Sequence, residues 1–537
     1  MDTLVGASAG MNARVGFAVL TAVAGGAWLL AKRKTTTDAG RISAVLKTSL
    51  LLLCVFWSIT WLAIAMLRLN YPYELEWCSG AMRDMAARSL HGQSLYITPG
   101  PDWFPYEYPP LYLWASALLM RIMGGEASFV PMRIISILST LGSAAILYYW
   151  VRFLITDKSP DTTRSSAKTW ALAAAGIFLA SFRFTGAWYD IERLDMLFLF
   201  FSLLGTLFLQ LGVARESVGW CAASAVALVL AFMTKQQAIL FMFGGVGALV
   251  WGKKWKLLGA YSAVCVVLST GFVAGLSSAT DGWFWYYCFK VPLANGIKAN
   301  LALMFLLGDL PLFAPTITIA ATGLYIARRN RTEEGQPGHS LKVLAGMTAM
   351  GLFGSLLSRA HWGGDQNVLI TGYVFLGVAA CVLAGRLSGN LPAMRAPLLA
   401  LAIAQVLTLT YRPTAQLPPP AGRESAAKYG DLIRSLEREG PVLSLEHGSF
   451  TSPPRFHLMA LLDVMNTEKG LPTPLMTALH SHYYSAIVMD AKPDTEGYLG
   501  EFVRNYPHIQ NVEISNTWIA TGYPTPSPSR TVWILRP

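Results

Sequence analysis

The sequence predicts an α-helical polytopic membrane protein with about 11–13 transmembrane helices and a small C-terminal α/β domain. Three observations predict this. Of 537 residues, 53% are hydrophobic and only 14% are charged, against about 25% charged in soluble domains. Apolar runs of near-spanning length follow one another, separated by short charged loops. After Tyr411 this pattern stops, and short apolar runs alternate with helical patterns.

The apolar runs are Val15–Leu30, Leu46–Leu67, Arg133–Phe153, Trp170–Phe182, Leu194–Leu211, Val218–Met233, Ala238–Trp251, Leu257–Gly275, Leu310–Ile326, Val343–Leu357, Val368–Ala384 and Ala396–Leu409. Several are shorter than ~20 residues, so their helices must extend into the flanks. The first is read as a retained span, because no cleavage site precedes Lys32. Residues 69–132 form a first outer loop. Within it, Met82, Met85, Ala86 and Leu90 predict an amphipathic helix over Ser79–Leu90, lying in the membrane interface. Leu111–Met123 is short for a span and reads as a second interfacial helix. The transmembrane domain covers residues 1–411. Pro418-Pro419-Pro420 stiffens a linker over 412–422. The domain over 423–537 shows a helix at Glu424–Glu439, a strand at Val442–Leu445, another helix, and strands at Ala486–Met489 and Thr531–Leu535.

Charge sets the expected orientation. The clusters Lys32–Lys34, Arg152 to Lys168, Lys253–Lys256 and Arg328 to Arg331 share one side if the spans alternate, and that side is the cytoplasm. These loops account for the net charge of +11 through orientation and lipid headgroups, and nucleic acid is not an expected partner. The opposite, outer side then receives 70–132, 182–194, 234–237, 277–309, 358–367 and the C-terminal domain. Every charged group of chemical interest falls there. The six cysteines have neither metal-ligand nor redox spacing and read as small apolar residues.

Glu74 and Glu76 stand two apart just beyond a span, and in an extended chain both point the same way. Carboxylates at a membrane boundary are desolvated, which raises their basicity and suits a general base. The bland alternative is an acidic pair bound to an arginine such as Arg83. Tyr106-Glu107-Tyr108-Pro109-Pro110-Leu111-Tyr112, taken alone, reads as an aromatic belt opening a helix. Arg183, Asp190, Glu192, Arg193 and Asp195 crowd one outer turn. Lys235, Gln236 and Gln237 form another, and Arg359, His361, Asp365, Gln366 and Asn367 a third. Cations on the outer side need a reason: either an anion such as a lipid phosphate, or ion pairs with Asp190, Asp195 and Asp365. His361 and Asp365 could pair on a metal only in a helix, and the glycines between them argue against that. No Walker loop, strand-linked GxGxxG or HExxH is present.

Several segments resemble the GT-C superfamily of multi-pass glycosyltransferases, which includes the protein O-mannosyltransferases and the aminoarabinose transferases of lipid A. The similar elements are Glu74-Leu75-Glu76, Ala86 to Tyr96, Tyr108-Pro109-Pro110-Leu111-Tyr112, Arg133, Arg193-Leu194-Asp195 and Leu230 to Gln237, in the family's order. The resemblance implies a GT-C-like fold in a bacterial inner membrane. It implies a polyprenyl-phosphate sugar donor and an acid of the first outer loop as catalytic base. Many members carry Asp-Glu where this chain has Glu-Leu-Glu, so the base stays open between Glu76 and Glu74.

The resulting expectation is an inverting transfer of sugar to an acceptor hydroxyl of a glycan, lipid or protein on the extracytoplasmic face. Arg359 and Lys235 hold the donor phosphate, with help from Arg193 or Arg133. Tyr106, Tyr108, Asp195, Gln236, His361 and Asn367 contact substrate. No cofactor is required by this scheme, and a divalent metal (Mg or Mn) is left open. The rivals are a transporter or flippase of lipid-linked sugars and a non-catalytic scaffold with an outer binding domain.

Overall fold

The computed structural model describes residues 13–23, 25, 39–157, 161–329, 339–361, 363–447, 450–490, 492–497, 499–514 and 530–537. The basic cluster Lys32–Lys34, Arg331 and the second half of the expected span Val15–Leu30 lie outside them.

The chain is mostly helical. The membrane part comprises α1 (Ala13–Val23), α2 (Ala39–Leu69), α3 (Ser79–Leu90), α4 (Leu111–Ile122), α5 (Phe129–Thr156), α6 (Asp161–Ala180) and α7 (Asp195–Ala214). It continues with α8 (Val218–Thr234), α9 (Ala238–Trp251), α10 (Trp255–Ala279), α11 (Ala299–Arg329), α12 (His339–Ala360), α13 (Leu369–Asn390) and α14 (Arg395–Thr408). Among the described residues, seven helices are long and apolar enough to cross a membrane. The other apolar helices are shorter, as the short runs in the sequence foreshadow. Central α13 is buried along most of its length, and its flanks pack on α6, α11 and α12.

The expected helix over Ser79–Leu90 forms with those bounds. It is not a surface helix with one wet face: Met82, Met85 and Leu90 are buried, and so are Asp84 and Ala87. The reason is the C-terminal unit, which packs against this loop. One hydrophobic core contains Met82, Met85, Phe104 and Tyr112 from the loop together with Leu443, Leu461, Ile487 and Phe502 from the C-terminal residues.

That unit contains α15 (Pro420–Glu437), β1 (Val442–Ser444), α16 (Leu458–Glu468), α17 (Thr473–His480), β2 (Ala486–Met489), α18 (Gly500–Asn505), β3 (His508–Ile514) and β4 (Arg530–Arg536). Helix α15 opens at Pro420, inside the expected linker, since proline suits the first helical position. The sheet order is β1-β2-β4-β3; β1 and β2 run parallel, and the other pairs antiparallel. Alternation divides its side chains. Leu443, Ile487, Met489 and Leu535 face the core shared with the membrane loops, whereas Val442, Val488, Val532 and Ile534 face Tyr429 and Ile433 of α15. Strand β3 is absent from the sequence reading because it is an exposed edge, His-Ile-Gln-Asn-Val-Glu-Ile, with little apolar contrast.

Candidate active site

The site is built on α5. Arg133, Ser136 and Thr140 lie three and four residues apart, on one helical face. Ser136 Oγ donates to the Arg193 carbonyl at 3.2 Å and Thr140 Oγ1 to the Tyr189 carbonyl at 2.7 Å. Arg133 donates to both oxygens of Glu192, at 2.7 and 3.1 Å. Its remaining N–H groups meet the carbonyls of Arg68, Leu69, Tyr71 and Tyr73. The guanidinium thus ties the end of α2 to the turn before α7, with every donor engaged. Arg133 therefore acts as a framework residue in this geometry, with no N–H left for a donor phosphate.

The turn enters through Gly186, at φ +79°, where a Cβ would come within 2.6 Å of the Trp188 ring. Glycine lets that ring fold under the turn. Arg193 then lies 4.7 Å over Trp188 and 5.6 Å over Tyr108. Its Nη1 reaches Glu76 Oε2 at 3.4 Å and its Nη2 reaches Tyr108 Oη at 3.4 Å, while Nε is buried with no hydrogen-bond partner. Glu76 is 6% exposed and also accepts from the Cys78 N–H at 2.9 Å. Burial pushes its carboxyl up to about 7, against the opposing pull of Arg193 and the Cys78 amide. At neutral pH a carboxyl so placed exchanges a proton readily. Glu192 shows the opposite balance. Burial raises it too, but Arg133 and the Leu75 N–H, with Ser79, hold it below the usual carboxylate range.

Beside this pair, Lys235 donates to Asp195 Oδ1 at 2.8 Å and Asn367 Nδ2 to the same oxygen at 3.1 Å. Asp195, Lys235, Asn367, Gln237, Phe198 and Thr371 line a small recess. Gln236 donates to the carbonyls of Glu107 and of Cys288, the latter at 2.8 Å. Three expected outer turns thus converge at one end of the bundle.

Other expected residues make separate hydrogen bonds, with Tyr106 still beside Glu76 and Arg193. Arg359 donates from Nε to Asp309 at 2.9 Å and from Nη1 to the Gly364 carbonyl at 2.6 Å. His361 Nε2 stands 2.9 Å from the Pro292 carbonyl. Tyr106 hydrogen-bonds His457 Nδ1 at 2.8 Å. Glu74 does not pair with Arg83, which binds Asp84 at 2.7 Å; it meets His447 Nδ1 at 2.7 Å instead.

Sequence reading missed four participants from the C-terminal unit, His447, Asp490, His457 and Asp463. His447 joins Glu74 of the outer loop to Asp490, and His457 fixes Tyr106. Glu107 and Asp463 are both pushed up, first by burial and then, for Glu107, by Asp463 itself. Only their fold-level proximity reveals them, except Glu107, which stands inside the quoted Tyr106–Tyr112 motif. Among the described residues, no three His, Cys, Asp or Glu side chains converge to hold a metal ion.

Residues 107–274 match the family model for dolichyl-phosphate-mannose-protein mannosyltransferase. No curated protein sequence matches the chain. Its fold is similar to that of ArnT from Cupriavidus metallidurans in the apo state, with a TM-score of 0.55 at 15% identity over 89% of this chain and 97% of that one. The structure of the same enzyme bound to undecaprenyl phosphate gives 0.52 at 12% identity, with the same coverage of 89% and 97%. The helical bundle, the ordered outer motifs and the family match over residues 107–274 agree on a multi-pass membrane protein with an ArnT-like fold.

Proposed function

We propose that the chain transfers a sugar from a polyprenyl-phosphate donor to an acceptor hydroxyl on the extracytoplasmic face, with inversion. The observation that carries this reading is Glu76: a buried carboxyl poised near neutrality, facing an arginine that holds it loosely. Glu76 removes the acceptor proton as the hydroxyl attacks the anomeric carbon from the face opposite the phosphate. The bond to the phosphate oxygen breaks, and polyprenyl phosphate leaves as an anion. Arg193, with its unpartnered Nε, and Lys235 supply positive charge for it. Arg359 joins them through Nη2, which meets the Met304 sulfur at 3.9 Å, while Nε and Nη1 stay on Asp309 and Gly364. The undecaprenyl phosphate held by the ArnT of similar fold supports a lipid-linked donor of this class. Acceptors are a glycan, a lipid or a protein, brought under the C-terminal unit. The basic loops at the other end of the bundle, such as Lys253-Lys254 and Arg328-Arg329, face the cytoplasm in this arrangement.

The test uses purified full-length protein in nanodiscs with a panel of polyprenyl-phosphate sugars. One sugar is consumed by the wild type and not by Glu76→Gln. Consumption of that donor at equal rates by both proteins overturns the assignment of the base, and no consumption of any donor overturns the donor class.

A further inference from the structure

We infer that His447, contributed by the C-terminal unit, is a positioning residue that locks the Glu74–Glu76 loop in its working geometry. It does so through a proton held between Glu74 and Asp490. The inference rests on the reading of this loop as catalytic, but its geometry stands apart from that reading.

His447 Nδ1 lies 2.7 Å from Glu74 Oε2 and Nε2 lies 3.1 Å from Asp490 Oδ2. All three side chains are more than nine-tenths buried. Glu74 belongs to the loop after α2, whereas His447 and Asp490 follow β1 and β2. The parallel pairing of those strands, Ser444 with Val488, sets their two C-terminal ends side by side. Two N···O hydrogen bonds need two protons, and a neutral imidazole carries one. The second proton sits either on the ring, making imidazolium between two carboxylates, or on one of the carboxyls. In both cases the chain of three carries a net charge of −1, and removal of that proton breaks one of its two links.

A second histidine of the same unit provides the contrast. His457 Nε2 stands 2.9 Å from the Glu446 carbonyl, which can only accept, so Nε2 carries the proton. Nδ1 then accepts from the Met459 N–H and from the Tyr106 hydroxyl, at 3.1 and 2.8 Å. This ring is neutral and fixed, and burial holds its pKa down at about 3. His457 orients a tyrosine independently of pH, whereas the His447 chain depends on a titratable proton.

Asp84 of α3, paired with Arg83, and Glu192 of the turn before α7, paired with Arg133, act on Glu74, and Glu446 accepts from the Asp490 N–H at 3.1 Å. His457 acts on the ring from α16's start, and Tyr429 of α15 packs edge-on at 4.9 Å. Two carboxylates on one ring favour retention of the extra proton. The docked state binds one proton more than the undocked state, so docking strengthens as pH falls and weakens as pH rises.

The Leu75 and Cys78 amides report the loop directly, because they donate to Glu192 and Glu76. The experiment is hydrogen exchange of residues 71–79 in the full chain in nanodiscs, across pH 6 to 9 and corrected for intrinsic rates. His447→Gln is expected to exchange about 10- to 100-fold faster at these amides at low pH, with the difference from wild type closing as pH rises, whereas Asp490→Asn, whose amide N–H donates to Nε2 and leaves Nδ1–H for Glu74, keeps protection and loses its pH dependence. His447→Arg, a permanent cation with donors on both sides, restores protection and removes its pH dependence. Wild-type protection in His447→Gln, or a wild-type pH dependence retained in Asp490→Asn, overturns the inference, as does wild-type protection that does not fall with rising pH. Asp490→Asn keeps the shape of the site, and so decides the matter if His447→Gln fails to fold. No outcome here depends on turnover. A donor panel that shows no transfer therefore sinks the proposed reaction and leaves the lock to be judged by exchange alone.

Discussion

Glu192 and Glu76 are both buried, and each faces an arginine from the neighbourhood of one turn, yet their environments differ in kind. Glu192 receives both arms of Arg133 at 2.7 and 3.1 Å. Glu76 receives one arm of Arg193 at 3.4 Å. The first pair is closed: all donors of Arg133 are used, and the carboxylate is held ionised below its ordinary range. The second is open: Arg193 retains a buried, unpartnered Nε, and Glu76 sits near 7. The difference shows how one turn separates framework from chemistry. A bidentate arginine fixes geometry, and a loosely held one beside it leaves a carboxyl able to trade its proton.

The largest effect is expected on the closed side. Arg133→Met removes one partner of a fully buried pair and strands Glu192. Such losses amount to roughly 3–5 kcal/mol. The variant should melt far below wild type or fail to leave the size-exclusion void volume. A wild-type melting temperature would show that the two pairs are equivalent and break the comparison.

On the open side, Glu76→Gln should leave folding intact and lower turnover by about 10²–10⁴-fold. The pH dependence sharpens this. Activity needs the ionised carboxylate, so the rate should climb through about pH 7 and flatten above it. For stability the sign is reversed. The folded carboxyl keeps a proton that the unfolded chain releases above its ordinary value of 4.5, so Glu76 costs stability increasingly as pH rises from about 4.5 to about 7. Glu76→Gln should flatten that segment of the melting-temperature profile. A variant with an unchanged rate profile and an unchanged stability profile would make Glu76 as inert as Glu192.

Much of this arrangement is legible in the sequence, and the illegible part has a common cause. Apolar periodicity and loop charge give the helical bundle, and helix Ser79–Leu90 forms with the expected bounds. Local composition also marks Glu76, Arg193, Asp195 and Lys235 as charges needing partners. It cannot say which partner each one takes. Arg133 and Arg193 read alike as arginines beside helix starts; only tertiary packing makes one a closed clamp and the other an open one. His447, Asp490 and Asp463 are illegible for the same reason. His447 lies 373 positions beyond Glu74 and Asp463 lies 168 beyond Asn295, and Asp490 reaches the outer loop only through His447. Strand β3 escapes because its exposed edge carries no periodic apolar signal.

A smaller effect is expected at the recess. Lys235→Met should weaken use of a lipid-linked donor through the loss of one charge-assisted contact, about 1.5–3 kcal/mol, or roughly 10- to 150-fold in donor KM. Acceptor KM should hold steady. Asp195 also loses its lysine, yet it keeps Asn367 at 3.1 Å. Some destabilisation therefore accompanies the change, well short of that in Arg133→Met. Equal losses in donor and acceptor KM would place Lys235 with the framework.

The smallest effect is expected from removing divalent metal. The contacts on the nearest carboxylates fall on one oxygen of each, Glu76 Oε2 with Arg193 and Cys78 and Asp195 Oδ1 with Lys235 and Asn367. In the proposed reaction Arg193 and Lys235 would carry the charge that faces the leaving phosphate, and no three metal-ligating side chains converge among the described residues. EDTA should therefore leave turnover unchanged under conditions in which Lys235→Met is visibly impaired. An activity abolished by EDTA and restored by Mg or Mn would mean that substrate brings the missing ligands. The openness of the Glu76 pair would then be a vacancy for a metal rather than for a phosphate.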